Sequence, residues 1–144
     1  MKHSESKIEV RYCETDRMGI VHHSRYYPWF EIGRNDFFKR SGMTYDQVEK
    51  EGILLPLIES HCNYHHGAQY GDTVIVKTSL SELSPAKIKY SYRVLRESDG
   101  ILLAEGYTVH AFTTPALKCV NLRKKNPQLW DILLQLYDGG DLDE

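Results

Sequence analysis

The ten residues 86–95, AKIKYSYRVL, alternate without a break. Ile88, Tyr90, Tyr92 and Val94 fall on one face of an extended chain, and Lys87, Lys89, Ser91 and Arg93 on the other. A period of two predicts a half-buried strand. On either side, TVIVKTSL (73–80) and LLAEGYTVHAF (102–112) read as strands more loosely, with SPA and ESDG between them as turn signals. Parallel neighbours would need crossovers of about a dozen residues or more, so connections this short predict an antiparallel meander. LIESHCNYHH (57–66) is a fainter strand and KIEVRYCE (7–14) another.

Helical periodicity lies upstream. In SRYYPWFEIGRNDFFKR (24–40), Tyr26, Phe30, Gly33 and Phe37 recur at helical spacing and form one apolar face. Gly33 costs about 1 kcal/mol of helix propensity against alanine, a cost that close approach to a sheet would justify. Ser24 is the expected N-cap, Pro28 then falls in the first turn where its missing N–H does no harm, and Gly42 is the expected stop. TYDQVEKEG (44–52) predicts a short second helix and NPQLWDILLQLY (126–137) a C-terminal one, with Pro127 near its start. A long apolar helix packed on a curved antiparallel sheet is an α+β arrangement. Residues 1–137 are expected to form one domain, followed by an acidic, glycine-rich tail at 138–144 (DGGDLDE).

Bulk composition narrows the function. The chain has 144 residues, 18 basic against 20 acidic, for a net charge of −2. That balance lacks the basic excess of a general nucleic-acid binder. Cys13, Cys62 and Cys119 are odd in number and widely spaced, which predicts a reduced, cytoplasmic protein with neither a disulfide framework nor a zinc ribbon. MKHSESKIEV (1–10) has no apolar signal region, and runs such as ILLPLI (53–58) fall far short of the ~20 residues of a membrane span.

Chemistry concentrates where the first loop meets the long helix, in ETDRMGIVHHSRYYPWFE (14–31). Asp16 precedes the helix start, and Gly19 permits a sharp return of the chain between them. The first amides of the helix, around His23 to Tyr26, lack intrahelical acceptors and carry about half a positive charge. Such an end polarises a carbonyl, and a carboxylate facing it attacks the polarised carbon or activates a water that does. Glu14 is expected to face solvent and His22 to be structural or lining rather than catalytic. His61, His65 and His66 make a poor metal site: on a strand, 61 and 65 lie about 13 Å apart. The tyrosines of KYSYR are read as core, and NLRKKN (121–126) as a solvated face that, like Arg25 or Lys87, could also meet nucleotide phosphates.

The pattern Y-x-x-T-D-x-x-G-I-V-H-H-x-x-Y-x-x-W-F-E-x-x-R, from Tyr12 to Arg34, resembles the opening motif of hotdog-fold acyl-CoA thioesterases, in the branch of 4-hydroxybenzoyl-CoA thioesterase and the Tol-Pal-associated thioesterases. NYHHGAQYGD (63–72) is similar to that family's second signature, and the likeness runs over roughly 7–136. The resemblance implies a hotdog fold and hydrolysis of an acyl-CoA to free acid and CoA, with no metal or bound cofactor. It casts Asp16 as catalytic nucleophile or general base and His23 as its assistant through side chain or amide. Gly19, His22, Ser24, Arg25 and Tyr26 then contact substrate. His22 stands where the family usually has tyrosine or tryptophan, and Arg25 where asparagine is common; both departures bear on substrate range. The resemblance also implies a homo-oligomer, a dimer with sites at the interface and often a homotetramer. The alternatives are a non-catalytic acyl-CoA or acyl-carrier-binding protein on the same fold, a thioesterase for acyl carrier protein substrates and a dehydratase or hydratase of acyl thioesters, whose hydration motif is not found in the sequence.

Overall fold

In the computed structural model, residues 3–138 are described. Five strands, β1 (His3–Glu9), β2 (Leu57–Tyr64), β3 (Thr73–Leu83), β4 (Lys87–Arg96) and β5 (Leu102–Ala111), form one antiparallel sheet in the order β1-β3-β4-β5-β2. The helices are α1 (Tyr26–Lys39), α2 (Tyr45–Lys50), α3 (Leu122–Lys125) and α4 (Pro127–Asp138). The meander β3-β4-β5 is as the spacing predicts, and Ile88, Tyr90, Tyr92 and Val94 are buried. This is the α+β hotdog arrangement: a curved antiparallel sheet with the long helix against it. Of the expected tail, only the backbone of Asp138, at the end of α4, falls within the described residues.

Helix α1 packs by its aromatic face. Phe30 stacks on Tyr92 with ring centroids 4.3 Å apart, and Phe37 meets Tyr90 edge-on at 6.1 Å. Gly33 lets the helix come down onto β3: a Cβ there would collide with Thr78 Oγ1 and lie 2.9 Å from Val76 Cγ1. Gly42 ends the helical stretch at φ 90°, and Thr44 caps α2 in a reciprocal capping box with Gln47. The short α3 is capped by Asn121, whose side chain accepts from the Lys124 N–H at 3.1 Å; the basic run NLRKKN is thus partly helical.

The first strand departs from expectation. Extended pairing stops at Glu9, and Tyr12–Glu14 form a 3-10 turn instead of continuing to residue 14. The cause is Glu14. It is only 3% exposed, and its carboxylate accepts from the Arg11 N–H at 2.9 Å and the Trp29 indole N–H at 3.0 Å. An alternating strand would have left those donors out of reach.

Candidate active site

The segment between the first strand and α1 folds back on itself as a tight turn. Thr15 and Val21 form an antiparallel bridge, the Asp16 N–H donates to the Ile20 carbonyl at 2.9 Å, and the Gly19 N–H to the Asp16 carbonyl at 3.0 Å. Gly19 takes φ 81°, a left-handed conformation that favours glycine, so its part in the turn is as expected. One carboxylate oxygen of Asp16, Oδ1, accepts from the Met18 N–H at 2.9 Å. That bond orients the side chain and leaves Oδ2 without a protein partner among the described residues.

Glu14 anchors this turn, where solvent exposure was expected. Burial pushes its carboxyl up, but bonds from the Arg11 N–H, the Trp29 indole and the Arg11 side chain outweigh burial and hold it below the ordinary glutamate value. Its main-chain carbonyl accepts from the His22 N–H at 2.9 Å, which ties both ends of the turn together and fixes where α1 begins.

The helix start differs from the expected Ser24 cap. A 3-10 turn at His23–Arg25 precedes α1, and its cap is His22, whose Nδ1 accepts from the Ser24 N–H at 3.2 Å and bonds the Ser24 hydroxyl at 2.8 Å. Arg25 N–H donates to the His22 carbonyl at 3.0 Å, and Tyr26 N–H to the His23 carbonyl. Of the amides from His23 to Tyr26, His23 alone finds no acceptor among the described residues. The candidate oxyanion donor is therefore one amide rather than a row of them. An imidazole caps because a neutral ring nitrogen accepts as a serine oxygen does.

A cleft of about 300 Å³ opens beside this junction, lined by Asp16, Met18, Ile20, Val21, His23, Tyr26 and, from the far wall, Tyr64, His65, His66 and Gly67. Asp16, His23 and Tyr26 are thus brought together, whereas Gly19, His22, Ser24 and Arg25 shape the turn and the cap without lining the cleft. The Arg25 guanidinium reaches back to the Cys13 carbonyl at 3.4 Å.

The far wall explains the second sequence signature. A Cβ on Gly67 would lie 2.6 Å from Ile20 Cγ2, so glycine lets this segment close on the Asp16 turn, and the Val21 N–H bonds the Ala68 carbonyl at 2.9 Å. Asp72 accepts from the Gln69 N–H at 2.9 Å and pairs with Arg96, which also donates to the Gly67 carbonyl at 3.2 Å. Tyr64 donates to the His23 carbonyl at 3.4 Å. None of Glu14, Tyr64, Gly67 and Arg96 was picked out for the site from sequence; the glycine inside HHGAQ was the available signal. His61 stacks on Tyr107, and His65 Nε2 lies 3.6 Å from the Glu105 carboxylate, so these two histidines have separate neighbours along β2 and just beyond it.

Residues 10–116 match the model of the thioesterase-like superfamily. The chain is 32% identical to YneP of Bacillus subtilis, a candidate acyl-CoA thioesterase, over 86% of this chain and 90% of that one. It is 27% identical to the acyl-CoA thioesterase YbgC of Haemophilus influenzae, covering 83% and 82% of the two chains. Among solved structures, a DHNA-CoA thioesterase from Staphylococcus aureus superposes with a TM-score of 0.88 at 32% identity, over 94% of this chain and 91% of that one.

Proposed function

The chain belongs to the thioesterase-like superfamily and is a thioester hydrolase, and from that premise we propose that it cleaves acyl-CoA thioesters with Asp16 as the catalytic carboxylate. The observation that carries the reading is the shared cleft: a carboxylate held by one oxygen and a helix-start amide without an acceptor border the same space. The thioester carbonyl accepts from the His23 N–H, which draws charge off the carbon. Asp16 then acts in one of two ways. As nucleophile it bonds the carbonyl carbon, expels the CoA thiolate and leaves an anhydride that water opens. As general base it takes a proton from the water that attacks. Carboxylate, amide and water suffice for either route. Tyr26 and Tyr64 flank the carbonyl position with aromatic surface, Gly19 and His22 hold the geometry, and Ser24 and Arg25, next to His23 in sequence, are assigned to the pantetheine arm.

The test is acid release from a panel of short, long and aromatic acyl-CoAs, read chromatographically because the three free thiols of the protein would react with a thiol dye. Asp16→Asn is expected to lose at least ~10²-fold in rate, the usual worth of a positioned base or nucleophile. Equal turnover by both proteins would remove Asp16 from the chemistry. CoA-ester binding without turnover by either would favour the silent binder.

We further propose a homo-oligomer, a dimer or tetramer. Strand β2 sits at the sheet edge with Leu57, Ile58 and Tyr64 exposed, and an open apolar edge is a pairing surface. A single-chain mass by light scattering at micromolar concentration would count against it. No described helix is long and apolar enough to cross a membrane. The three free cysteines fit a reducing compartment, which we take to be the cytoplasm.

A further inference from the structure

A second cavity, about 270 Å³ in volume, lies along α1 and is lined by Arg34, Glu31, Asn35, Tyr45, Glu49, Leu55 and His110. It shares no lining residue with the Asp16 cleft, and Arg34 stands eight residues beyond Tyr26, about 12 Å along the helix axis.

The polar groups around it form a chain whose direction can be worked out. His110 Nδ1 lies 3.1 Å from the Leu55 carbonyl, which only accepts, so Nδ1 carries the proton. Nε2 is then an acceptor, and the Thr108 hydroxyl 3.0 Å away donates to it. Thr108 Oγ1 in turn accepts from the Tyr92 hydroxyl at 2.6 Å, and Tyr92 accepts from Arg34 Nη1 at 3.5 Å. The Tyr45 hydroxyl is spent as well, donating to Tyr90 at 2.9 Å. The Tyr45 hydroxyl and His110 Nδ1 are thus committed, whereas Arg34 keeps N–H groups with no bond among the described residues. A guanidinium carries five N–H groups and stays charged at any ordinary pH. Among the described residues only Nη1 finds a bond, and no carboxylate pairs with the group. Half-buried charges are normally paired. Here the pairing surface is turned to an open cavity.

We propose that this cavity is a binding site for a small organic monocarboxylate, gripped by the free fork of Arg34. The planar guanidinium matches a carboxylate with two parallel bonds. Tyr92 takes an N–H of Nη1, which leaves the Nε–Nη2 edge of the guanidinium as the fork. Leu55 and the edge of Tyr45 give apolar surface for the body of the acid. Glu31 and Glu49 are exposed and repel a dianion more strongly than a monoanion, which favours monoanions over phosphate or dicarboxylates. The volume lies just under the ~300–1,000 Å³ of drug-sized sites, so the ligand is small.

The experiment is isothermal titration of the intact protein with benzoate, butyrate, benzamide and inorganic phosphate; it needs no turnover and so stands apart from the hydrolase reading. Benzoate or butyrate is expected to bind saturably, with benzamide and phosphate at least ~10-fold weaker for want of the charge-assisted fork or through the extra charge. Arg34→Gln should lose the carboxylate by a similar factor, and Leu55→Phe, which fills the cavity and leaves the guanidinium in place, should lose it too. Asp16→Asn should bind as wild type does. Binding lost in Asp16→Asn but kept in Leu55→Phe would put the acid in the catalytic cleft and overturn the proposal. No binding to wild type would overturn it as well, and an oligomer that dissociates in Arg34→Gln would then assign the guanidinium to a second copy of the chain. Should Arg34→Gln fail to fold, Leu55→Phe decides alone.

Discussion

Replacing Glu14 by alanine tests the claim that this carboxylate, two residues from the proposed catalytic one, is structural. It removes two charge-assisted bonds, from the Arg11 N–H at 2.9 Å and the Trp29 indole N–H at 3.0 Å. Bonds to a charged group are worth about 1.5–3 kcal/mol each, and an indole left unsatisfied in a buried ring costs a further 1–3. Relaxation and the desolvation cost that the carboxylate no longer bears reduce the sum, so the expected net loss is about 3 kcal/mol. For a chain of this size that is a fall of ~10 °C in Tm. Urea unfolding at one fixed protein concentration measures it, since an oligomer's stability depends on concentration. Trp29→Phe isolates the indole bond: a cycle with Glu14→Ala should give a coupling of ~1 kcal/mol or more. The pH dependence has a definite sign. The folded carboxyl titrates below its unfolded value, so its contribution is complete above about pH 4.5 and is lost as pH falls through the folded value. Glu14→Ala within ~0.5 kcal/mol of wild type at pH 7, the range of ordinary surface substitutions, would refute the reasoning, as would strict additivity with Trp29→Phe.

Two further outcomes follow from the packing. Gly33→Ala should destabilise by about 1–3 kcal/mol through overpacking against Thr78 and Val76, reversing the ~1 kcal/mol that alanine otherwise gains in a helix; a more stable variant in urea would show that α1 can lift off β3. Burial, with the Arg34 charge added and the Leu55 carbonyl bond opposing, pushes His110 down to about 4, so its ring should titrate near that pH by NMR. Between 6.5 and that value the unfolded chain holds more protons than the folded one, and stability should fall as pH drops through this window. A midpoint near 6.5 would contradict both the burial and the directed chain that ends on Leu55.

Where side-chain periodicity alone decides an element, the sequence was a good guide. Alternation at 88–94 has one burial solution, because shifting it by a residue exposes the whole set, and Tyr26, Phe30, Gly33 and Phe37 share one side of a helix only at helical spacing. Gly33 could be read as a close approach because nothing else repays its propensity cost. Edge positions carried less information. Strand β2 is exposed along most of its length, so its pattern was faint, and the first strand was placed too late, at 7–14 against the observed His3–Glu9, because KIEVRYCE alternates well enough to continue past Glu9. At the site the gap has one physical origin: hydrogen-bond choices between groups of similar type. Ser24 is the better cap by propensity, yet the helical turn already starts at His23, and the His22 ring accepts from the Ser24 N–H and also holds the Ser24 hydroxyl.

Glu14 and Asp16 show why residue type could not settle their roles. Both are carboxylates in a strand-like run, and alternation would have put them on one face with one fate. The 3-10 turn at Tyr12–Glu14 breaks that parity and rotates Glu14 under the indole of Trp29. Once there, a carboxylate has to gather donors or lose its charge, and it gathers them from Arg11 and Trp29. Asp16, beyond the turn, keeps a single amide at Oδ1 and faces the cleft. The first carboxylate is buried with both oxygens bonded to the fold, whereas the second keeps Oδ2 without a partner among the described residues, as the catalytic role proposed for it requires. Environment assigns two like groups to two tasks. The same logic predicts an asymmetry in their substitutions: loss of Glu14 should appear first in stability and only through it in rate, and loss of Asp16 in rate with stability unchanged.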